Sequence, residues 1–242
     1  NGQAHYLAAV AAAAETTGNR MKNLAIFDLD NTLINTDSDN SWPQYLMNKG
    51  VVDIEFVRTK NDKFYQDYLN GCLDIDEFLQ FQLEPLKHFS LEELAHMHGE
   101  FTQEFIVPHI SSMAKMLVQS HREAGDELLV ISATNEFIIT PICHLFGIEN
   151  IIGTQLEMGE NGRYTGGYIG TPSLKEGKIT RLHEWLSARN KSFDAYEKTY
   201  FYSDSKNDLP LLNYVTDPVA VNPDQELLQT ALEKGWPVLN FK

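Results

Sequence analysis

The chain has 242 residues, 43% of them hydrophobic, which is enough to bury one core domain together with a smaller inserted domain. Its formal net charge of −15 argues against nucleic acid as a partner, because that affinity comes largely from Lys and Arg at phosphates. The same charge argues against an anionic membrane surface, and no apolar run approaches the roughly 20 residues that span a bilayer.

Cys72 and Cys143 are the two cysteines, too few in a chain of this length for a disulfide framework or a zinc-binding set. We expect both to be free thiols in a reducing compartment, and therefore a cytoplasmic protein. Residues 1–20 stand apart, because their alanine-rich run has no basic residue before it and does not resemble a signal peptide. We interpret them as an artificial extension before a natural start at Met21, with a short native helical leader as the alternative.

Four short apolar runs predict buried strands of a parallel sheet. They are residues 24–30, 126–132, 199–204 and 218–222. Helical patterns lie between them, as at residues 110–124 and 178–188, and residues 151–157 and 163–168 predict a β-hairpin. Strands that alternate with helices indicate an α/β fold, here a doubly wound, Rossmann-like parallel sheet with helices on both faces.

Residues 42–108 interrupt this alternation, because they form helical patterns with little strand character. We therefore expect a mostly helical cap at residues 37–110. The α/β catalytic core would then comprise residues 21–36 and 111–242.

Inside the predicted cap, Ser90 followed by Glu93 has the spacing of a capping box and predicts the start of a helix. Phe64, Tyr68 and Phe78 recur at helical spacing and are expected to pack a small cap core. His96 and His98 would lie on different faces of one helix. A solvated surface therefore suits this histidine pair better than a zinc site.

Polar residues follow three of the predicted strands, at the edge of a parallel sheet where ligands bind. With a lysine that opens a later helix, they are Asp28, Asp30, Ser132, Lys178, Asp204, Asn207 and Asp208. Clustered carboxylates repel one another unless a cation lies among them, and Mg²⁺ takes one or two carboxylates, several waters and substrate phosphate. We therefore predict a magnesium site with Asp28 and Asp204 as the first choice of ligands and Asp30 and Asp208 as further candidates.

Asp28 is the predicted nucleophile, because a carboxylate can attack phosphorus directly and form an aspartyl phosphate. Asp30 lies two residues after Asp28, and we expect the chain to leave the strand at Asp30 so that both acids reach one substrate. Asp30 can then protonate the leaving alcohol and later deprotonate the attacking water. Ser132 and Lys178, with Lys175 as an alternative to Lys178, would orient the phosphoryl oxygens.

These residues together resemble the haloacid dehalogenase superfamily of phosphohydrolases. The matching motifs, in family order between about residues 22 and 222, are Asp28-Leu-Asp-Asn-Thr32, Ser132-Ala-Thr134, Lys178 and Tyr202-Ser-Asp-Ser-Lys-Asn-Asp208. The second aspartate, Asp30, is absent from the dehalogenase branch and favours phosphate chemistry, and the helical insertion is similar to the cap of the phosphoserine-phosphatase-like branch. The resemblance implies a magnesium-dependent phosphatase for a small phosphate ester, with Ala133 and Asn207 joining Ser132 and Lys178 at the phosphate.

The resemblance also bears on the substrate. Phosphoserine phosphatases bind the substrate amine with an acid nine positions after the nucleophile, where this chain has Asp37, with Asp39 close by. The cap arginine that holds the substrate carboxylate in that branch is replaced here by Gln82, or by Gln80, which offers no charged fork. A phosphate ester of an amino alcohol, such as histidinol phosphate, therefore fits better than phosphoserine. Cap aromatic residues that could stack on its imidazole are Trp42, Tyr45 and Phe81.

Other functions share parts of this pattern. A phosphoserine phosphatase, or a phosphotransferase that passes the phosphoryl group to a second alcohol, would use the same aspartyl-phosphate chemistry. A receiver-like signalling domain also clusters acids, a hydroxyl and a lysine on such a sheet, but it is much shorter and lacks a large cap. A scaffolding protein would not need the full catalytic set.

Overall fold

The computed structural model describes residues 2–12 and 22–242, and within these ranges seven strands form one sheet. The strands are β1 Leu24–Phe27, β2 Glu127–Asn135, β3 Ile151–Met158, β4 Tyr164–Ile169, β5 Thr199–Ser203, β6 Asp217–Val221 and β7 Val238–Leu239. Their order is β4-β3-β2-β1-β5-β6-β7, with every neighbouring pair parallel except β3 and β4. The predicted parallel sheet and the predicted hairpin are both confirmed.

Helices cover both faces of this sheet, as predicted. They are α1 Gly2–Ala12, α2 Ser38–Asn48, α3 Ile54–Leu69, α4 Ile75–Leu83, α5 Leu91–Phe101, α6 Ser112–Glu123, α7 Glu136–His144, α8 Glu176–Ser187, α9 Leu209–Leu212 and α10 Gln225–Lys234. Successive residues of β1 point to opposite faces of the sheet. Ala25 and Phe27 pack with residues of α6 and α7, whereas Leu24 and Ile26 pack with residues of α8, α9 and α10.

Between β1 and α6 the chain forms α2 to α5, and each of these helices begins at a residue whose side chain accepts a backbone hydrogen bond. Asp37, Asp53, Asp74 and Ser90 are these N-caps, and Ser90 forms the expected capping box with Glu93. β4 packs against α4, so the hairpin contacts this helical insertion. The cap bounds at residues 37–110 stay a prediction.

His98 differs from its expected position on a solvated surface. It is 3% exposed, and its Nε2 atom lies 2.7 Å from the carbonyl oxygen of Ile138 in α7. Its Nδ1 atom lies 3.0 Å from the hydroxyl oxygen of Thr102. Two polar partners satisfy the buried ring, which therefore ties α5 to the sheet-covering helix α7.

Part of the N-terminal segment is described. α1 packs on α6, and the hydroxyl oxygens of Tyr6 and Tyr202 lie 2.9 Å apart. Residues 1 and 13–21, including the predicted start at Met21, lie outside the described residues. No helix in the described ranges is both long enough and apolar enough to cross a membrane. Cys72 is exposed and Cys143 is buried, and both are free thiols, as expected.

We expect Gly177→Ala to destabilise the fold, because a Cβ atom there would lie 2.1 Å from the carbonyl oxygen of Pro172. Relieving that clash requires movement of the backbone at the start of α8, with a cost of about 1–3 kcal/mol in the free energy of unfolding. Urea unfolding followed by circular dichroism measures the change. Gly99→Ala in α5 is the control, because its Cβ atom meets nothing within 4 Å and should be neutral or stabilising. Equal stability of the two variants would contradict this prediction.

Candidate active site

Asp28 follows β1 directly and forms an ion pair with a buried lysine. Its backbone amide donates to the carbonyl oxygen of Tyr202 at 2.9 Å, which extends the parallel pairing by one residue. Lys178 Nζ lies 2.9 Å from Asp28 Oδ1 and 2.8 Å from the carboxylate of Asp208, with only 2% of the lysine exposed. Ser203 Oγ donates to Asp208 at 2.6 Å. Three charged groups are therefore held together at the sheet edge.

Asp30 lies at the same edge, and the chain turns directly after it, as expected from the sequence. Asn31 adopts a left-handed backbone conformation with φ of 56°, a region that Asn tolerates better than most residues. Both carboxylate oxygens of Asp30 are hydrogen-bonded. The backbone amide of Ser38 donates to Oδ1 at 2.7 Å, and the Thr134 hydroxyl donates to Oδ2 at 2.8 Å.

Asp28 and Asp204 are the two acids best placed for a metal ion. The Thr32 hydroxyl lies between them, with Oγ1 at 3.5 Å from Asp28 Oδ2 and 3.2 Å from Asp204 Oδ1. Within the described ranges, no group of three His, Cys, Asp or Glu residues could hold a metal ion by itself. Two carboxylates completed by waters and substrate phosphate suit Mg²⁺.

Asp208 and Asp30 have hydrogen-bond partners at the same sheet edge. The carboxylate of Asp208 contacts Lys178 and Ser203, and Asp28 shares the same lysine. The backbone amide of Ser38 and the Thr134 hydroxyl donate to the carboxylate oxygens of Asp30. All four acids stay candidate metal ligands, with Asp28 and Asp204 as the first choice from the sequence.

Burial determines how these groups are charged. It raises the pKa of Asp28 to about 7 and that of Asp30 to about 7. Burial, followed by the carboxylates of Asp28 and Asp208, raises the pKa of Asp204 well above its usual range. Burial alone would lower the pKa of Lys178, but the carboxylates of Asp208 and Asp28 outweigh it and raise that pKa. A divalent cation beside Asp28 and Asp204 would favour the ionised forms of both carboxyl groups. The residues present therefore fit a divalent metal ion.

Ser132 and Ala133 lie in the last part of β2 and line the same cavity as Asp28, and their role at a phosphate stays a prediction. Asn207 and Lys175 instead contact the helical insertion. Asn207 Nδ2 donates to the carbonyl oxygen of Tyr68 at 3.1 Å, and Lys175 Nζ donates to that of Gly71 at 2.7 Å. These two side chains therefore hold the segment 68–71 over the sheet edge. Neither side chain pairs with Asp28 in the way Lys178 does.

A cavity lies between the sheet edge and α2 to α4, where the leaving group of a phosphate ester would lie. Asp37 and Asp39 line it, and burial raises the pKa of both carboxyl groups. Gln82 is 3% exposed and does not line the cavity; its Nε2 atom donates to Asp39 Oδ1 at 2.7 Å and to the Asp39 carbonyl oxygen at 2.8 Å. Gln82 therefore orients Asp39 and does not itself face the substrate space.

Aromatic residues line one side of this cavity, but they differ from those expected. They are Phe64, Tyr65, Tyr68 and Phe78. Trp42 is buried, with ring centroids 5.1 Å from Phe101 and 5.2 Å from Phe137, and lies outside the cavity lining. Tyr45 and Phe81 also lie outside it. The predicted stacking residues thus pack protein against protein, while three residues expected in the cap core face the cavity.

Sequence reasoning missed Thr32, Thr134 and Tyr65 as site residues. Thr32 and Thr134 lie inside the matching motifs that begin at Asp28 and Ser132, so their position was a usable signal. Tyr65 lies in α3, and only the packing of α3 shows which of its residues face the cavity.

The chain matches the model of the haloacid dehalogenase-like hydrolase family over residues 25–213. It is 72% identical over 222 residues to a histidinol-phosphatase of Neisseria meningitidis serogroup C (strain 8013), an alignment that covers 92% of this chain and all of that protein. The family model spans the helical insertion and every residue placed at the site above.

Solved structures agree on the fold. A protein of unknown function from Bordetella pertussis Tohama I superposes with a TM-score of 0.87 at 39% identity, covering 92% of this chain and 100% of that one. A phosphoserine phosphatase bearing an analogue of its phospho-aspartyl intermediate superposes with a TM-score of 0.64 at 16% identity, covering 92% and 95%. The chain therefore belongs to the haloacid dehalogenase-like hydrolase family and is a phosphoric monoester hydrolase.

Proposed function

We propose that this enzyme is a magnesium-dependent phosphatase for a small phosphate ester that carries an amine, and that its substrate is histidinol phosphate. The observation that carries this proposal is the charge of the leaving-group cavity. Asp37 and Asp39 line it, and among the described residues around it there is no Lys, Arg or His.

Buried carboxylates without a counter-charge are costly, and here they also lie near a third acid. Burial and the carboxylate of Asp37 raise the pKa of Asp30. Burial and the carboxylates of Asp37 and Asp30 raise the pKa of Asp39. A cationic amine on the substrate would offset this repulsion. The carboxylate of phosphoserine would add to it, because Gln82 is neutral and already bonded to Asp39.

Two further features favour histidinol phosphate among amino-alcohol phosphates. The 72% identical relative bears the name histidinol-phosphatase. The rings of Phe64, Tyr65, Tyr68 and Phe78 give the cavity an aromatic wall on which a flat imidazole can pack. Two free cysteines and the acidic surface fit action on a small molecule in the cytoplasm.

The reaction follows from the placement of the acids. A carboxylate oxygen of Asp28 attacks phosphorus, the bond from phosphorus to the ester oxygen breaks, and Asp30 gives its proton to that oxygen. Asp30 then takes a proton from water as the water oxygen attacks phosphorus, which releases inorganic phosphate and restores Asp28. The Ser132 hydroxyl and the Lys178 ammonium bind phosphoryl oxygens during both steps.

Asp28 and Asp204 would hold Mg²⁺, with Thr32 hydrogen-bonded to both. When bound, the ion neutralises charge on the phosphoryl oxygens. Lys175 and Asn207 hold the segment 68–71 of the cap closed, so that water is excluded while the phosphoryl group is transferred.

Asp28→Asn should lower kcat by at least about 1,000-fold, because the amide is not a nucleophile for phosphorus. Lys178 keeps its contact with Asp208, so the fold should persist in circular dichroism and urea unfolding. Asp194→Asn, an exposed acid, is the matched control and should retain full activity. An Asp28→Asn enzyme of normal activity would show that the mechanism is wrong.

EDTA should abolish turnover of the wild-type enzyme, and added Mg²⁺ should restore it. Mg²⁺ should also raise the temperature of unfolding, because it relieves repulsion between Asp28 and Asp204 and binds only the folded state. Calorimetry should find a smaller increase for Asp204→Asn, which loses one of the two ligands. Full activity in EDTA would refute the metal requirement.

Asp39→Asn should raise KM for histidinol phosphate about 10-fold or more, the usual effect of removing a hydrogen bond to a charged group. KM for p-nitrophenyl phosphate, which has no amine, should change little. Steady-state kinetics on both substrates gives the comparison. Equal turnover of phosphoserine and histidinol phosphate by the wild-type enzyme would remove the basis of the assignment.

A further inference from the structure

Thr134 has no role in the reaction described so far, yet its hydroxyl lies beside the acid that must protonate the leaving group. The residue is 3% exposed and lines the leaving-group cavity two positions after Ser132. Its Oγ1 atom lies 2.8 Å from Asp30 Oδ2. Asp39 lines the same cavity. The Thr134 hydroxyl therefore contacts the proposed general acid inside the leaving-group cavity.

The other oxygen of Asp30 indicates where the proton is carried. The backbone amide of Ser38 lies 2.7 Å from Asp30 Oδ1, and an amide can only donate, so Oδ1 acts as an acceptor. The proton that Asp30 delivers therefore belongs on Oδ2. Thr134 is the side chain that touches Oδ2.

We propose that Thr134 is a positioning residue that aims Asp30 Oδ2 at the ester oxygen of the leaving group. The inference rests on the proposed function, in which Asp30 is the general acid. A hydroxyl has one proton to donate and two lone pairs. The Thr134 hydroxyl donates that proton to a lone pair of Oδ2, so the hydrogen that Oδ2 carries is directed away from Thr134 and toward the ester oxygen.

The proton balance is simple. The bond between Oδ2 and its hydrogen breaks as the leaving oxygen binds that hydrogen, and the electron pair of the broken phosphorus–oxygen bond stays on the leaving oxygen. Asp30 becomes an anion at this moment, and the bond from Thr134 is stronger to an anion than to a neutral acid. Because that gain arises only as the proton leaves, it lowers the barrier of this step and does not merely tighten binding.

The test compares Thr134→Val, which removes the hydroxyl, with Thr134→Ser, which keeps it. Thr102→Val is the matched control, because Thr102 is also a buried threonine with one side-chain partner, His98, away from the site. We measure kcat/KM, which covers all steps through loss of the leaving group. The substrates are histidinol phosphate, glycerol 2-phosphate and p-nitrophenyl phosphate. The first two leave as alkoxides that need a proton, and the third leaves as a stable phenolate.

We expect Thr134→Val to lower kcat/KM for the two alkyl esters by about 100-fold, the usual effect of a misplaced general acid, and for the aryl ester by much less. Thr134→Ser should recover most of the loss, and Thr102→Val should resemble wild type. An equal loss on alkyl and aryl esters, or no loss, would overturn the role of Thr134. A wild-type enzyme that cleaves glycerol 2-phosphate but not histidinol phosphate would contradict the proposed substrate, while the comparison with the aryl ester would still test Thr134.

Discussion

The ion pair between Lys178 and two buried aspartates is the interaction on which the rest of the site depends. Asp28 follows the central strand, where every residue of the strand is buried, and a carboxylate there is costly without a partner. The ammonium group lies 2.9 Å from Asp28 and 2.8 Å from Asp208, so one cation stabilises an acid that follows β1 and an acid that follows β5. It leaves Asp204 unneutralised, and the same crowding that raises the pKa of Asp204 makes a second cation, the metal ion, favourable.

The charges of the site divide into two parts that meet at Asp30. On one side lie Asp28, Asp204 and Lys178, where we propose that a phosphoryl group and a metal ion bind. On the other side, Asp37 and Asp39 line an acidic cavity that favours a positively charged leaving group. The overall charge of −15 indicates neither part, because it does not show which acids lie close together or which cations are buried with them.

The helical insertion contributes more than a cover. Its first helix places the amide of Ser38 on Asp30, its third places Gln82 on Asp39, and core side chains hold the carbonyl oxygens of Tyr68 and Gly71 in return. The geometry of the general acid therefore depends on the insertion being seated.

Much of this could be predicted from the sequence, because each motif ends a buried strand and parallel strands bring their carboxyl ends to one edge. The alternation of strands and helices, the hairpin, the Ser90 capping box and the group of Asp28, Asp30, Ser132 and Lys178 followed from local pattern alone. Which side chains of a cap helix face the cavity did not. Trp42, Phe64 and Phe81 all lie on apolar helical faces, and a helical period cannot tell a face that packs on protein from one that borders a cavity. Only the tertiary packing directed Phe64 to the cavity, buried Trp42 against Phe101, and paired Asp208 with Lys178, because each of these outcomes depends on neighbours distant in the chain.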